Sequence, residues 1–359
     1  MRKRAKSLSS NARVTVFVYL GILLAVAAVA VYSGRHVLFQ PWSARISMSL
    51  AASEPSSGPV IYAVGGRRAG ETLLEDILRF SPNEGALDEW ARLDGASVGC
   101  AAVAVEDVLY VIGGSDGAAP SDAVRIVDGA QRAQGSVEEF ARLPAPRSFG
   151  AAAVVSETAL WAERAPDGAA QDSPRAPVIY YLGGWDGERK SNAVFRIEPK
   201  TRYVERVAAL PEPRERLGAA VVDGTIYVLG GYGPDNEGSD RLWRFAPETG
   251  TVEDVGALPE VVDRVSVVSH RGYLVYMTPA GNTESELHRV AFGEGEIAHS
   301  AFRVPLSAYQ VRLVATEEHL YAVGGAHPEF ERQIGLWRIE LGGAQAGVTP
   351  LRLRSAPWN

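Results

Sequence analysis

The stretch TIYVLGGYG (Thr225–Gly233) decides the fold, because the chain contains four near-copies of it. These are VIYAVGG (Val60–Gly66), VLYVIGG (Val108–Gly114), VIYYLGG (Val178–Gly184) and HLYAVGG (His319–Gly325). Each copy is rich in β-branched and aromatic residues, which favour strands, and each ends in two adjacent glycines. A strand that ends in the same way five times indicates an internal repeat.

The spacing of the glycine pairs predicts the number of repeats. Successive pairs lie 48, 70, 47 and 94 residues apart. The step of 94 is twice 47, so one unit near residue 277 has lost its glycines. The step of 70 contains a Pro/Ala/Asp-rich insertion, Thr158–Pro177.

Every unit, including the degenerate one, also carries an arginine flanked by apolar residues. These are Arg79, Arg125, Arg196, Arg244, Arg289 and Arg338. Six repeats are therefore predicted, and these arginines are interpreted as structural, paired with acids between blades.

The fourth unit shows the predicted strands most clearly. They are Leu217–Val222, Thr225–Gly231, Arg241–Ala246 and Thr251–Gly256. Asp223-Gly224 is typical of a tight hairpin turn between the first two strands. The first strand consists of small and β-branched residues, which suit a crowded position near a central axis.

A period near 48, four strands per unit and a glycine pair closing the second strand resemble the kelch repeat. The resemblance covers about Ile46 to Leu353. The third strands lack the usual Tyr-Asp-Pro, and the fifth unit (Tyr273–Gly281) lacks the glycines. The resemblance implies an all-β fold, a six-bladed kelch-type β-propeller. The predicted blades are about 46–93, 98–143, 149–210, 217–258, 264–306 and 311–354. Ile46–Ala52 and Val348–Arg354 can complete the first and last blades, so no strand needs to be exchanged between the termini, and an exchange at the ends is the alternative.

The N-terminal region predicts one transmembrane helix. Residues 14–34 carry no charge and are long enough to cross a bilayer. Five basic residues and no acidic residue precede them, which predicts a cytoplasmic segment at 1–13. A linker at 35–45 and the propeller at 46–359 follow. Two interpretations are open: an uncleaved signal-anchor, which the length of the apolar run favours, or a cleaved signal peptide. The signal-anchor predicts a single-pass protein of the inner (plasma) membrane, with the propeller on the extracytoplasmic, periplasmic side.

Composition excludes several classes of function. All 43 acidic residues but only 31 of the 36 basic residues follow residue 34, which argues against nucleic acid as a partner. The single cysteine, Cys100, cannot form an internal disulfide and is expected in the core. The six histidines show no ligand spacing, and no Gly-x-Ser-x-Gly or phosphate loop occurs. No cofactor, metal site or catalytic residue is predicted, and enzymatic activity is not favoured.

A candidate ligand site follows from the propeller topology. The loops after the glycine pairs and the loops leading into the innermost strands share one face and surround the axis, where kelch-like propellers generally bind partners. These loops are rich in arginine and also carry aromatic residues, a combination that suits carboxylated or hydroxyl-rich ligands. The candidate ligand-binding residues are Arg67, Arg147, Trp185, Arg216, Tyr232 and Arg264. Arg147 and Arg214 lie in a recurrent Pro-Arg turn, where bracing of the blades is the competing interpretation.

Two functions are compatible with these observations. The first is a membrane-anchored binding or scaffold module for a protein or glycan partner at the propeller mouth. The alternative is a carbohydrate-active enzyme such as a sugar-acid mutarotase or epimerase, because exported bacterial six-bladed kelch proteins include such an enzyme. Fold alone does not distinguish them.

Overall fold

The computed structural model describes residues 47–67, 73–95, 97–128, 134–156, 176–281, 284–293, 297–306, 311–324, 335–342, 345–351 and 354–355. Among these residues, no helix is long and apolar enough to span a membrane. The predicted transmembrane segment at 14–34 and most of the insertion lie outside the described residues.

The described residues form six sheets, each with four sequential antiparallel strands, so the predicted six-bladed all-β propeller is confirmed. Blade 1 contains β1 (Ser49–Ser53), β2 (Val60–Val64), β3 (Asp76–Ser81) and β4 (Ala86–Arg92). Blade 2 contains β5 (Ala101–Val105), β6 (Val108–Ile112), β7 (Ser121–Asp128) and β8 (Ser136–Arg147). Blade 3 contains β9 (Ala151–Val155), β10 (Val178–Leu182), β11 (Ala193–Ile197) and β12 (Val204–Ala209).

The second half of the propeller repeats this order. Blade 4 contains β13 (Gly218–Val222), β14 (Thr225–Leu229), β15 (Ser239–Ala246) and β16 (Thr251–Val262). Blade 5 contains β17 (Val267–His270), β18 (Tyr273–Pro279), β19 (Ser285–Phe292) and β20 (Ile297–Val304). Blade 6 contains β21 (Arg312–Ala315), β22 (Leu320–Gly324), β23 (Gly335–Gly342) and β24 (Gln345–Pro350).

Closure of the ring involves a strand beyond the four of each blade. After β24, the two-residue strand β25 (Arg354–Ser355) pairs in parallel with β4 of blade 1. The C-terminal segment therefore joins the first blade, which is the alternative that the sequence left open, while β24 completes the last blade. The outer edge of β4 offers unpaired backbone groups, which explains why a passing segment pairs there.

The core lies between the blades. Six clusters of buried apolar side chains each combine residues from two neighbouring blades. Tyr62 and Trp90 of blade 1, for example, share a cluster with Cys100 and Leu109 of blade 2. Cys100 is only 4% exposed, as the sequence suggested. Each sheet therefore buries its faces against its neighbours, as the repeat requires.

Several of the recurrent third-strand arginines form ion pairs within their own blade. Arg79 and Arg196 pair with Asp88 and Glu205, which lie opposite them on the fourth strand of the same blade. The sequence predicted acids across the gap between blades, and Arg125 of blade 2 does pair with Asp94, which follows β4 of blade 1. Arg125 also differs from the other arginines in register. It pairs with Val111, and in blades 1, 3 and 4 the equivalent third-strand position holds an apolar residue instead of an arginine.

Candidate functional site

A ring of backbone hydrogen bonds forms one mouth of the central channel. Ser47, Gly99, Phe149 and Arg216 precede the inner strands of blades 1 to 4, and all four have left-handed backbones with φ between 54° and 66°. The amide of Arg216 donates to the Phe149 carbonyl (2.6 Å), and the amide of Phe149 donates to the Gly99 carbonyl (2.6 Å). We call this mouth, together with the side chains around it, the arginine rim. Because its backbone is tied from blade to blade, its side chains start from fixed points.

Arg216 is the central cation of the arginine rim. Its guanidinium lies 3.8 Å from the centre of the Phe149 ring, a cation–π contact that fixes the side chain. Burial lowers the pKa of Arg216, and the positive charges of Arg264 and Arg67 lower it further, against the opposing effect of Glu215. Arginine keeps its proton under these conditions, so the mouth carries a partly dehydrated positive charge.

Arg312 adds a second cation at the same mouth. It begins β21 and lines the channel beside Val265, whose carbonyl lies 3.5 Å from its Nη1 atom. Burial lowers the pKa of Arg312, as do the charges of Arg216 and Arg264. Neither Arg216 nor Arg312 forms an ion pair with a carboxylate of the described residues. Two like charges held close together without an acid between them make a site for an anion.

Tyr232 and Arg264 extend the rim along the gap between blades 4 and 5. The Tyr232 hydroxyl donates to Oδ2 of Asp263 (2.6 Å), and this hydrogen bond raises the pKa of Tyr232. Arg264 pairs with the same carboxylate (3.6 Å) and lies over the Tyr232 ring at 5.9 Å. A phenol, a carboxylate and a guanidinium are thus in contact on an accessible surface.

The remaining predicted residues are placed less uniformly. Arg67 lies close enough to act on Arg216 electrostatically. Trp185 follows its glycine pair, and its backbone pairs with Ser148, next to Phe149 of the rim. Arg147 ends β8 of blade 2 and is 7% exposed, and its guanidinium lies 5.4 Å from the Phe195 ring of blade 3. The structure therefore brings Arg67, Arg216, Tyr232 and Arg264 together and places Arg147 in a bracing position.

Sequence reasoning missed two residues of the rim, Phe149 and Asp263. The signal was present in the loops that lead into the inner strands, PAPRSFG and PEPRERLG, where Phe149 occupies the position of Arg216. Asp263 immediately precedes Arg264, as Glu215 precedes Arg216. Reading these positions together across the repeats would have identified both residues.

The two ends of the central channel carry charges of opposite sign. The channel encloses about 390 Å³ and is lined by the inner strands of all six blades. At the end opposite the arginine rim, Glu54, Glu106 and Asp107 line a separate recess. Opposite charges at the two ends produce a field that directs anions toward the arginines.

The repeat has a counterpart among known protein families. The family model described as Kelch motif matches residues 96–128 and 213–259, in blades 2 and 4. The chain therefore contains kelch motifs within a six-bladed β-propeller. A solved structure described as "Structure of YjhT" superposes on this kelch propeller with a TM-score of 0.62 at 10% identity, covering 86% of this chain and 98% of that one. At this identity the likeness shows the shared fold.

Two curated proteins are similar to part of the kelch propeller. An F-box/kelch-repeat protein of Arabidopsis thaliana is 39% identical over 54 residues, which is 15% of this chain and 16% of that protein. Kelch-like protein 35 of Mus musculus is 33% identical over 64 residues, 18% of this chain and 11% of that protein. This chain therefore matches only a small part of the length of either relative.

Proposed function

We propose that this propeller is a binding module whose arginine rim takes a carboxylate presented by a protein or glycan partner. The observation that carries the proposal is the convergence of Arg216 and Arg312, both half-buried and neither in an ion pair with a carboxylate of the described residues. Kelch propellers commonly serve as protein-binding modules, which supports the general role.

The physical basis is the state of these guanidiniums before a ligand arrives. Burial has already removed part of their water, so a bound carboxylate gains attraction at a reduced further desolvation cost. Phe149 holds Arg216 in place, which reduces the side-chain entropy lost on binding. A forked guanidinium can also donate two parallel hydrogen bonds to one carboxylate.

We expect Arg216→Met to weaken carboxylate binding by roughly tenfold or more, since a hydrogen bond to a charged group contributes about 1.5–3 kcal/mol. D-glucuronate and a tetra-alanine peptide with a free C-terminal carboxylate serve as probes, with affinities measured by ligand-observed NMR. Arg92→Met is the matched control, because Arg92 is an exposed arginine on β4 of blade 1, with a side chain 62% exposed.

If Arg216→Met and Arg92→Met weakened carboxylate binding equally, only the net charge of the protein would matter, and the arginine rim would not be the binding site. Binding of the peptide but not of glucuronate would identify a protein partner. The reverse result would identify a glycan. If neither probe binds at millimolar concentration, the proposal fails.

The alternative function is catalysis on a sugar acid, as a mutarotase or epimerase. The hydrogen-bonded pair Tyr232–Asp263 beside Arg264 favours it, because such a pair can exchange protons with a substrate held by the rim. NMR exchange spectroscopy on glucuronate anomers tests this idea directly. Faster exchange with the wild-type protein than with Tyr232→Phe would establish catalysis, whereas equal exchange with and without protein would exclude it for this substrate.

We further propose that the propeller is held at the inner membrane by residues 14–34 and works on the extracytoplasmic side. The support is the uncharged run and the basic residues before it. The full chain is expected to stay in the membrane pellet after carbonate extraction, and a chain lacking residues 1–34 to become extractable. Recovery of the full chain in the soluble fraction, or a mature N-terminus beyond Val31, would contradict the anchor.

A further inference from the structure

Blade 5 differs from the other blades at the place where its glycine pair is missing. By register, Thr278 and Pro279 of β18 occupy the positions of Gly230 and Gly231 in blade 4. On the third strand of blade 5, His288 pairs with Tyr276, and on the third strand of blade 4, Trp243 pairs with Val228. His288 therefore occupies the position of Trp243. The loss of the glycines thus coincides with the replacement of a large aromatic residue by a histidine.

The same place in the preceding blades holds a guanidinium. In blade 4, Arg214 lies 4.1 Å from the centre of the Trp243 ring, and its Nη2 atom is 3.3 Å from Glu212. In blade 3, Arg147 lies over Phe195. In blade 2, Arg125 itself occupies the third-strand position and pairs with Asp94 at 2.7 Å.

Blade 5 has no arginine at the corresponding backbone position. Val262 pairs with Ser239 as Arg147 pairs with Ser121, so a valine occupies the place of the bracing arginine. The carboxylate equivalent to Glu212 remains, as Glu260. Without the arginine, Glu260 turns to His288, with 2.9 Å between its Oε1 atom and Nε2 of the imidazole.

The carboxylate and imidazole side chains at this place in blade 5 are of types that bind metal ions. Ligand atoms of Glu260, Glu286 and His288 all lie within 4.8 Å of one another. The Thr278 hydroxyl lies 2.8 Å from Oε1 of Glu260 and 2.8 Å from Nε2 of His288. The His288 side chain is 6% exposed, whereas those of Glu260 and Glu286 are 40% and 37% exposed. The cluster therefore has a buried nitrogen donor and an outer side open to solvent.

Tyr276 provides an independent observation that points to a ligand here. Its ring stacks on His288 with centroids 4.5 Å apart and planes inclined by 6°. Its hydroxyl is buried with no hydrogen-bond partner among the described residues. A buried, unpaired phenol next to a carboxylate is costly unless a further polar or charged group completes the site.

We propose that Glu260, Glu286 and His288 form a binding site for a divalent transition-metal ion, which takes the place of the guanidinium found in the preceding blades. One imidazole nitrogen and two carboxylates suit Zn²⁺ or Mn²⁺ better than Ca²⁺, which prefers oxygen ligands only. In this arrangement the ion joins the end of β16 to blade 5, the connection that an arginine makes in blades 3 and 4.

Only a small movement of one side chain is needed for the three ligand atoms to reach a single ion. Zinc bonds to nitrogen and oxygen are about 2.0–2.2 Å long, so two ligands of one ion lie at most about 4.4 Å apart. Glu286 can close the remaining gap, since its one described ion pair, with Arg303, is long at 3.8 Å and the Arg303 side chain is 74% exposed.

Zinc titration of the purified full-length chain, stripped beforehand with a chelator, tests the proposal. We expect one saturable site by isothermal titration calorimetry and a rise in melting temperature with zinc. Glu260→Gln and His288→Gln should each weaken zinc binding at least about tenfold. Glu212→Gln is the matched control, because Glu212 holds the equivalent position in blade 4 beside Arg214, and it should leave zinc affinity within about twofold of wild type.

A substitution that restores the arginine gives a second, independent readout. Val262→Arg places a guanidinium beside Glu260 and should abolish zinc binding while the circular dichroism spectrum stays that of the folded chain. The site is disproved if no one-to-one uptake of zinc occurs, or if Glu260→Gln and His288→Gln leave uptake unchanged. The latter result would assign the bound zinc to other histidines. Glu260→Gln is conservative and partly exposed, so it remains decisive even if Val262→Arg does not fold.

Discussion

Replacing Gly113 by alanine is expected to lower the free energy of unfolding by about 2–5 kcal/mol. Gly113 has a φ of 62°, where an L-residue costs about 1–2 kcal/mol. A Cβ atom there would lie 2.2 Å from the Arg147 carbonyl oxygen, which also accepts a hydrogen bond from Gly114. Because the obstacle is backbone of the next lead-in loop, relief of the overlap must move two blades apart, which adds about 1–3 kcal/mol.

Two other glycines separate these contributions. Gly272 has a φ of 78°, but a Cβ atom there meets nothing within 4 Å, so Gly272→Ala should cost only the backbone term of about 1–2 kcal/mol. Gly95 is open and has no positive φ, so Gly95→Ala should leave stability unchanged or slightly higher. Urea unfolding followed by tryptophan fluorescence gives the ranking. Equal losses for Gly113→Ala and Gly272→Ala would show that close approach of the blades is not what selects the paired glycines.

The repeat could be predicted from sequence because the blades share the same local sequence pattern. Strand formers ending in a glycine pair, with turn residues such as Asp223-Gly224, specify the first two strands without long-range information. The degenerate unit was also correctly located, since Thr278 and Pro279 stand where its glycines would be. The small residues of the inner strands line the channel, as expected for a crowded axis.

Register and side-chain partners were harder to predict. Arg125 lies within an apolar triplet like the other recurrent arginines, yet it occupies the opposite face of its strand. A one-residue slip reverses the face, and the loops between the glycine pair and the third strand differ in length from blade to blade. Strand spacing therefore could not show that the arginine of blade 2 differs from the arginines of blades 1, 3 and 4.

The candidate site was predicted only in part for a similar reason. The loops that lead into the inner strands contain Arg216 and Arg264, predicted at the mouth, and Arg147 and Arg214, for which bracing is the competing interpretation. What separates them is a contact distant in sequence. Aromatic rings on the third strands receive Arg147 and Arg214 inside the blades, whereas the residues two positions later emerge on the rim.

Arg214→Ala is expected to cost about 3 kcal/mol. The residue is 2% exposed, its guanidinium stacks on Trp243, and its Nη1 atom donates to the Gly230 carbonyl at 3.0 Å. Truncation removes a buried cation–π contact of about 2 kcal/mol and a charged hydrogen bond of about 1.5–3 kcal/mol. Part of this loss is offset, because burial opposes the charge, as the lowered pKa of Arg214 shows. Urea unfolding is again the measurement, with the exposed Arg92→Ala as a control expected to change stability by less than about 0.5 kcal/mol.

Arg214→Lys distinguishes charge from shape. Lysine keeps the positive charge near Glu212 but has no planar fork to stack on Trp243 while also reaching the Gly230 carbonyl. We therefore expect Arg214→Lys to lose about half as much stability as Arg214→Ala. A lysine variant as stable as wild type would mean that the blade needs only a cation at this position. A lysine variant as unstable as alanine would mean that the stacked fork supplies all of the stabilisation, and that the arginine braces blade 4 through its shape.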